Sequence, residues 1–324
     1  MNYALRHAWR RKPIPRSPRN GRRRAATDDH MSTLICFGYG YCAEHFVAEF
    51  GDQFDRVIGT VRGEERAAVL NAYRPGRLEA MIFDGRQPAT DVNDAIADAN
   101  YVLLSVPPDE DGDPISSAFG EALKHANKLH EIVYLSTVGV YGDRAGRWVD
   151  EDALTEDVST RGRQRLSAEL HWRLLGRWSK SDPGVTVLRL AGIYGPGQNA
   201  LVQIASGKAR RIVKSGQVFN RIHVADIAQA IDAAFARRAS GIFNVADDEP
   251  TPPADPIAFA AQLMGVAPPP EIPFEQAAPT MSEMALSFWQ ECRRVKNDKL
   301  KRELGVSLRY PTYREGLRAL FEER

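Results

Sequence analysis

Between residues 32 and 190, short apolar runs alternate with amphipathic stretches at a steady spacing. The runs at 34–37, 56–61, 78–83, 101–106, 132–136 and 185–190 are mainly apolar and read as strands. The stretches 42–50, 63–72, 92–98, 115–128 and 163–179 set apolar residues at helical spacing. The strands are continuous runs rather than alternating ones, which places helices over both faces of the sheet. Strand–helix alternation of this kind predicts an α/β fold with a doubly wound parallel sheet. Beyond residue 195 the alternation loosens. A helix is expected over 226–238 and a strand over 242–245. Nine prolines between 248 and 279 predict a loop-rich connection, and helical segments are expected around 297–304 and 313–323. No internal repeat is evident.

Composition narrows the classes. No run approaches the roughly 18 apolar residues of a membrane-spanning helix, so no membrane role is expected. Three cysteines (Cys36, Cys42, Cys292) make no disulfide framework and suit a reducing, cytoplasmic setting. None sits in a cluster with zinc-ligand spacing, so no metal is expected. The net charge of +1 hides an asymmetry. Residues 1–24 hold eight arginines and Lys12 without an acid; the rest has 34 basic against 42 acidic residues, a balance of −8. An acidic body argues against nucleic acid as the partner. The first 30 residues, basic and poor in apolar groups, read as disordered. They fit a binding arm, an organelle leader, or an upstream stretch preceding a true start at Met31; the last reading is carried forward.

Gly38-Tyr39-Gly40-Tyr41-Cys42-Ala43 is a G-x-G-x-x-A turn between the first strand and the first helix. The first glycine makes the tight turn, the second lets backbone approach a pyrophosphate, and the small Ala43 lets helix and strand pack closely. The anion then rests at a helix N-terminus. This is the signature of a dinucleotide site, and it makes the sheet Rossmann-type. The expected division is a basic extension at 1–30, a dinucleotide-binding domain at 31–195, and a smaller, loop-rich substrate lobe at 196–324, with 222–245 returning to the sheet. The second strand runs into Arg62, about where NAD-binding chains place an acid for the ribose. A guanidinium there suits the 2′-phosphate of NADP, so NADP is expected over NAD.

The chain resembles the extended short-chain dehydrogenases/reductases, the NAD(P)-dependent epimerase/dehydratase group. The resemblance is carried by G-Y-G-Y-C-A (38–43), F-D-G (83–85), Y-L-S-T-V-G-V-Y-G (134–142), R-L-A-G-I-Y-G-P-G (189–197), R-I-H-V-A-D-I-A (221–228) and F-N-V-A-D-D-E-P (243–250). L-L-S-V-P-P (103–108) and the stretch 293–305 look like its atypical bacterial YeeZ-like subgroup. The resemblance implies that Asp84 meets the adenine amine, that backbone at Ser105, Val106 and Pro107 passes the cofactor, and that Thr137 holds the place of the catalytic Ser/Thr. It also implies pairing of two copies through a helix such as 163–179, and a nucleotide-sugar or other anionic small molecule as substrate. Asp226 reads as the N-cap of the following helix.

One departure is large. The family works with a Tyr-x-x-x-Lys pair, and here Arg161 and Arg165 stand in those places; no tyrosine in the chain is followed four residues later by lysine. Arginine stays protonated, with a pKa above about 12, so Arg161 is no ordinary acid or base. Two arginines four apart share a helix face and read either as an anion clamp or as a solvated basic face. Tyr141, Tyr194 and His223 are the other candidate acid/base or substrate groups, with Arg221 a further substrate contact. Two functions remain open: an NAD(P)-dependent oxidoreductase or epimerase with a rearranged site, and a cofactor-binding redox sensor without turnover.

Overall fold

The computed structural model describes residues 32–73, 78–87, 89–156 and 158–323. The disordered reading of 1–30 and the start at Met31 lie outside the described residues. The order is β1 (Thr33–Phe37), α1 (Tyr41–Phe50), β2 (Arg56–Val61), α2 (Glu64–Tyr73), β3 (Leu78–Ile82), α3 (Thr90–Ala97), β4 (Tyr101–Leu104), α4 (Pro114–His125) and β5 (Glu131–Thr137). There follow β6 (Trp148–Val149), α5 (Thr160–Trp178), β7 (Gly184–Leu190), β8 (Gly192–Tyr194), α6 (Ala200–Ala205), β9 (Arg211–Val213), β10 (Arg221–His223), α7 (Val224–Arg237) and β11 (Gly241–Val245). The last part holds α8 (Asp255–Leu263), β12 (Glu271–Pro273), α9 (Phe274–Ala277), α10 (Glu283–Gln290), β13 (Arg294–Val295), α11 (Asp298–Glu303) and α12 (Tyr313–Glu322).

Seven strands form one parallel sheet in the order β3-β2-β1-β4-β5-β7-β11. Its strands are mainly apolar because helices cover both faces, although Glu79 of the edge strand β3 is exposed. Leu34 and Cys36 of β1 face a core shared with Phe46 of α1 and Ile231 of α7. Their neighbours Ile35 and Phe37 face the opposite core, with Phe119 of α4 and Trp172 of α5. The chain crosses over between β1 and β4, so a crevice opens at the strands' carboxyl ends there. β4 stops at Leu104 rather than running to 106. Pro107 and Pro108 lack the N–H a ladder needs, and residues 105–106 instead cross beneath the glycine turn.

The C-terminal part is built on a smaller core that includes Leu201, Ala260 and Leu317 from α6, α8 and α12. The proline-rich stretch is therefore not all loop. Asp255–Leu263 is a helix whose Pro256 stands at its start, where a missing N–H breaks no bond. Two short parallel pairs, β8 with β10 and β6 with β13, knit this part to the sheet domain, and β9 pairs with β12 within it. Within 222–245 only β11 joins the large sheet, since β10 pairs with β8. Among the described residues no helix is long and apolar enough to cross a membrane.

α5 starts at Thr160, earlier than its apolar spacing suggested, because the Ser159 hydroxyl accepts from Gly162 N–H at 3.2 Å and caps it. Deeper in the helix, Glu169 is buried against Arg189 of β7. Arg189 Nη2 donates to Glu169 Oε2 at 2.7 Å, and Ser136 Oγ of β5 donates to Glu169 Oε1 at 2.5 Å. Glu169→Ala strands a buried guanidinium and is expected to cost about 3–5 kcal/mol in urea unfolding. Asp98→Ala, at the exposed pair with Lys128, is expected to change stability by less than about 1 kcal/mol. Equal effects of the two would refute this account.

Candidate active site

The glycine turn joins β1 to α1 at the crevice. Gly38 has φ +83°, and a Cβ there would lie 2.8 Å from Val106 Cγ2 and 3.2 Å from Val106 N. Its N–H donates to Thr60 Oγ1 at 2.9 Å, and Tyr39 N–H donates to Thr60 O at 2.8 Å, tying the turn to β2. The Tyr39 ring is buried over Gly59. Gly40 is different. It is exposed, its backbone is extended (φ −108°, ψ −160°), and a Cβ on it would meet nothing within 4 Å. As the N-cap of α1 it offers no side-chain cap. Bare helix-start amides facing open space suit a pyrophosphate, so the residues present fit a dinucleotide. Cys42 points inward, where burial raises its thiol to about 12. Tyr41 Oη donates to Pro196 O at 3.0 Å, fixing the loop after β8 over the turn.

The other sequence-derived cofactor residues lie along the same edge. Arg62 follows β2, is exposed, and makes no ion pair among the described residues. Asp84 follows β3 and is exposed; its carboxylate is held below its usual pKa, first by the Arg86 amide at 2.9 Å. Ser105 N–H donates to Phe37 O at 2.9 Å, which lays Ser105 and Val106 under Gly38, while Pro107 is exposed.

At the carboxyl ends of β5 and β7 a cavity of about 770 Å³ opens between the sheet domain and the C-terminal part; no residue of the glycine turn is among its lining. Thr137, Arg161, Arg165, Tyr194 and Arg221 all line it. Thr137 ends β5, and its Oγ1 accepts from Gly139 N–H at 3.1 Å, leaving its own O–H to donate. Arg165 is oriented by Leu135 O at 2.9 Å and Tyr134 Oη at 3.2 Å. Arg161, one turn earlier and exposed, makes no ion pair among the described residues. Arg163 turns away and donates to Val158 O at 2.8 Å. Arg221 donates to Phe219 O at 3.1 Å and to the Thr251 hydroxyl. Burial pulls its pKa down, against the opposing pull of Asp247. Asp247 is buried, its N–H donates to Arg221 O at 2.7 Å, and its Oδ2 has no partner among the described residues. Burial pushes its pKa up to about 8.

Two candidates stand apart from the cavity. Tyr141 is fully buried; its hydroxyl donates to Asn244 Oδ1 at 2.7 Å and its ring lies 4.9 Å from the Arg189 guanidinium. His223 is buried between Tyr194 and Tyr310, with its pKa pushed down to about 3 by burial. It is also the true N-cap of α7, since its Nδ1 accepts from Ala225 N–H at 3.1 Å. That corrects the cap role given to Asp226, whose carboxylate accepts from Arg309 N–H at 2.6 Å and Tyr310 N–H at 3.1 Å and so anchors the approach to α12. Tyr194 does line the cavity, but burial raises its pKa. Sequence reasoning missed Arg210, Arg293 and the aromatic wall of Phe219 and Trp289. These meet the site only through tertiary packing, and no local motif marks them. Among the described residues no group of three or more His, Cys, Asp or Glu could hold a metal.

Residues 119–246 match the sequence profile of the NAD dependent epimerase/dehydratase family. A 3-diazoavenalumate denitrifying reductase of a Streptomyces species is 29% identical over 43% of this chain and 48% of its own length. Protein YeeZ of Escherichia coli K12 is 29% identical over 54% of this chain and 63% of its own. The chain thus spans about half to under two thirds of these curated relatives. A functionally unknown conserved protein from Silicibacter pomeroyi is 41% identical, with a TM-score of 0.79 over 90% of this chain and 99% of its own. MoeE5, solved with UDP-glucose and NAD, superposes with a TM-score of 0.72 at 20% identity over 90% and 98% of the two chains, a likeness of fold alone.

Two outcomes are expected. Gly40→Val keeps an allowed backbone and meets no protein atom, so thermal stability stays near wild type while affinity for a nicotinamide dinucleotide, NADH or NADPH, falls by roughly tenfold or more. Unchanged affinity in calorimetry would refute the assignment of the turn. For Asp247, the ordinary value of 3.8 and the folded value of about 8 mean that the folded chain holds a proton the unfolded chain releases. Stability therefore drops as pH rises through that window, and Asp247→Asn removes this part of the slope in denaturation series from pH 4 to 8.

Proposed function

The chain belongs to the NAD dependent epimerase/dehydratase family, and on that premise we propose that it is an NADP-linked oxidoreductase or epimerase acting on an anionic small molecule. The carrying observation is the cavity at the carboxyl ends of β5 and β7, where Thr137 meets arginines in place of a tyrosine and a lysine. Gly38, Tyr39, Gly40, Tyr41 and Cys42 would hold the diphosphate through backbone, Asp84 the adenine end, and Arg62 a 2′-phosphate. Backbone at Ser105, Val106 and Pro107 would run alongside. A bound nicotinamide dinucleotide supplies hydride transfer.

The chain's own groups do the rest. Thr137 donates its O–H to a substrate oxygen and polarises it. Arg161 and Arg165 hold a carboxylate or phosphate by charge-assisted hydrogen bonds. Arg165 comes to that task already aimed, because two acceptors on β5 fix its guanidinium. A guanidinium is not an ordinary general acid or base, and burial raises Tyr194. The proton that balances hydride transfer therefore comes from solvent. The name of the Streptomyces relative, a reductase, supports the oxidoreductase side of this reading.

A second reading is a dinucleotide-binding sensor without turnover, and the arginines at 161 and 165 favour it. A broad panel of carbonyl substrates with NADPH separates the two: oxidation of NADPH by any member supports the enzyme, and tight NADPH binding with no oxidation supports the sensor. The expected cofactor order is NADPH tighter than NADH by roughly tenfold or more, a gap that Arg62→Ala closes. A clear preference for NADH in calorimetry overturns the role given to Arg62.

A further inference from the structure

The same cavity also speaks to what kind of body its anion carries. Several of its neutral hydrogen-bonding side chains are already committed to the fold, with Thr137, Tyr313 and two edge glutamines as the exceptions. Asn199 donates to Gly195 O at 2.8 Å and accepts from Val202 N–H at 3.0 Å. Asn220 donates to Arg293 O at 3.0 Å and accepts from Val295 N–H at 2.9 Å. Ser159 caps α5, Ser287 Oγ donates to Met284 O at 2.8 Å, and Tyr194 Oη reaches Thr312 O at 3.4 Å. Gln198 and Gln203 are exposed at its edge. A polyol would bring many hydroxyls here and find few free partners, and each unpartnered group is costly to bury.

What the cavity does offer is positive charge and rings. Five arginines line it, at 161, 165, 210, 221 and 293, and Glu291 is the one acid among the lining residues. That acid is already paired with Arg293 at 2.7 Å. The remaining wall is largely apolar. Trp289 stacks on Phe274 with centroids 5.2 Å apart and meets Phe219 edge-on at 5.2 Å. Next to it, Phe288 lines the cavity yet is 58% exposed, a ring with no ring partner among the described residues. Such a surface suits a flat ring that completes the stack, and a volume of about 770 Å³ accepts a ligand of drug-like size.

We infer that the substrate site selects an aryl-bearing organic anion, a carboxylate or phosphate ester with an aromatic body, over a sugar nucleotide. The inference rests on the proposed use of this cavity as the substrate site. Calorimetric titration of the full chain tests it, with biphenyl-4-carboxylate, its neutral carboxamide, biphenyl-4-yl phosphate and UDP-glucose as probes. The carboxylate or the phosphate ester is expected to bind at least roughly tenfold tighter than the carboxamide and than UDP-glucose. Whichever of the two anions binds tighter identifies the oxyanion. Arg161→Gln is expected to erase the gap between acid and amide. Phe288→Ala, at an exposed position that the fold does not need, is expected to weaken the aryl anions about three- to tenfold.

Tighter binding of UDP-glucose, or equal binding of acid and amide, overturns the inference. NADPH is titrated on the same sample. If aryl anions bind and NADPH does not, the redox reading falls and the ligand class stands. If NADPH binds and UDP-glucose wins, only the ligand class falls.

Discussion

Glu169 and Arg189 meet where water is excluded, and the upper edge of the sheet takes its geometry from that contact. One carboxylate receives the guanidinium of β7 and the hydroxyl of Ser136 from β5, so a helix and two neighbouring strands are referred to a single point. Thr137 follows Ser136 directly, and Arg165 lies one helical turn before Glu169. The spacing between the hydroxyl and the guanidinium that face the cavity is therefore set from below. Arg189 also lies over the Tyr141 ring, and Tyr141 carries the constraint on to Asn244 of β11. A buried ion pair is weak as a source of net stability, but it tolerates little displacement.

Tyr141 shows how a residue beside a functional motif can be wholly structural. Its place after the strand end invited a catalytic reading, yet its hydroxyl is spent inside the core. His223 has a similar fate. A neutral imidazole under aromatic rings caps a helix more readily than it exchanges protons, since its pKa is driven far below the working range. What faces the cavity is cationic instead.

Much of the fold was legible in the chain. The parallel strands were readable because all but the edge strand β3 are largely buried on both faces and so form continuous apolar runs. The glycine turn was readable because its demands are local. The pairs β6 with β13 and β9 with β12 were not, since two or three residues whose partners lie 60 or more positions away leave no periodic trace. α8 hid in a proline-rich stretch because proline is tolerated at the first turn of a helix. The same limit applies to the site. Thr137, Arg161 and Arg165 follow from register along one stretch, whereas Arg210, Arg293 and Trp289 arrive from the far end of the chain by packing alone.

The pairing of β13 with β6 has a mechanical side. Arg294 N–H donates to Arg147 O at 3.0 Å and Lys296 N–H to Val149 O at 2.9 Å, while Asn297 reaches Ala246 O at 2.8 Å and Asn220 grips the same strand from the other side. The late segment is thus basted across the seam between the two halves of the molecule. A hinge that swung them apart would have to rip those stitches one by one.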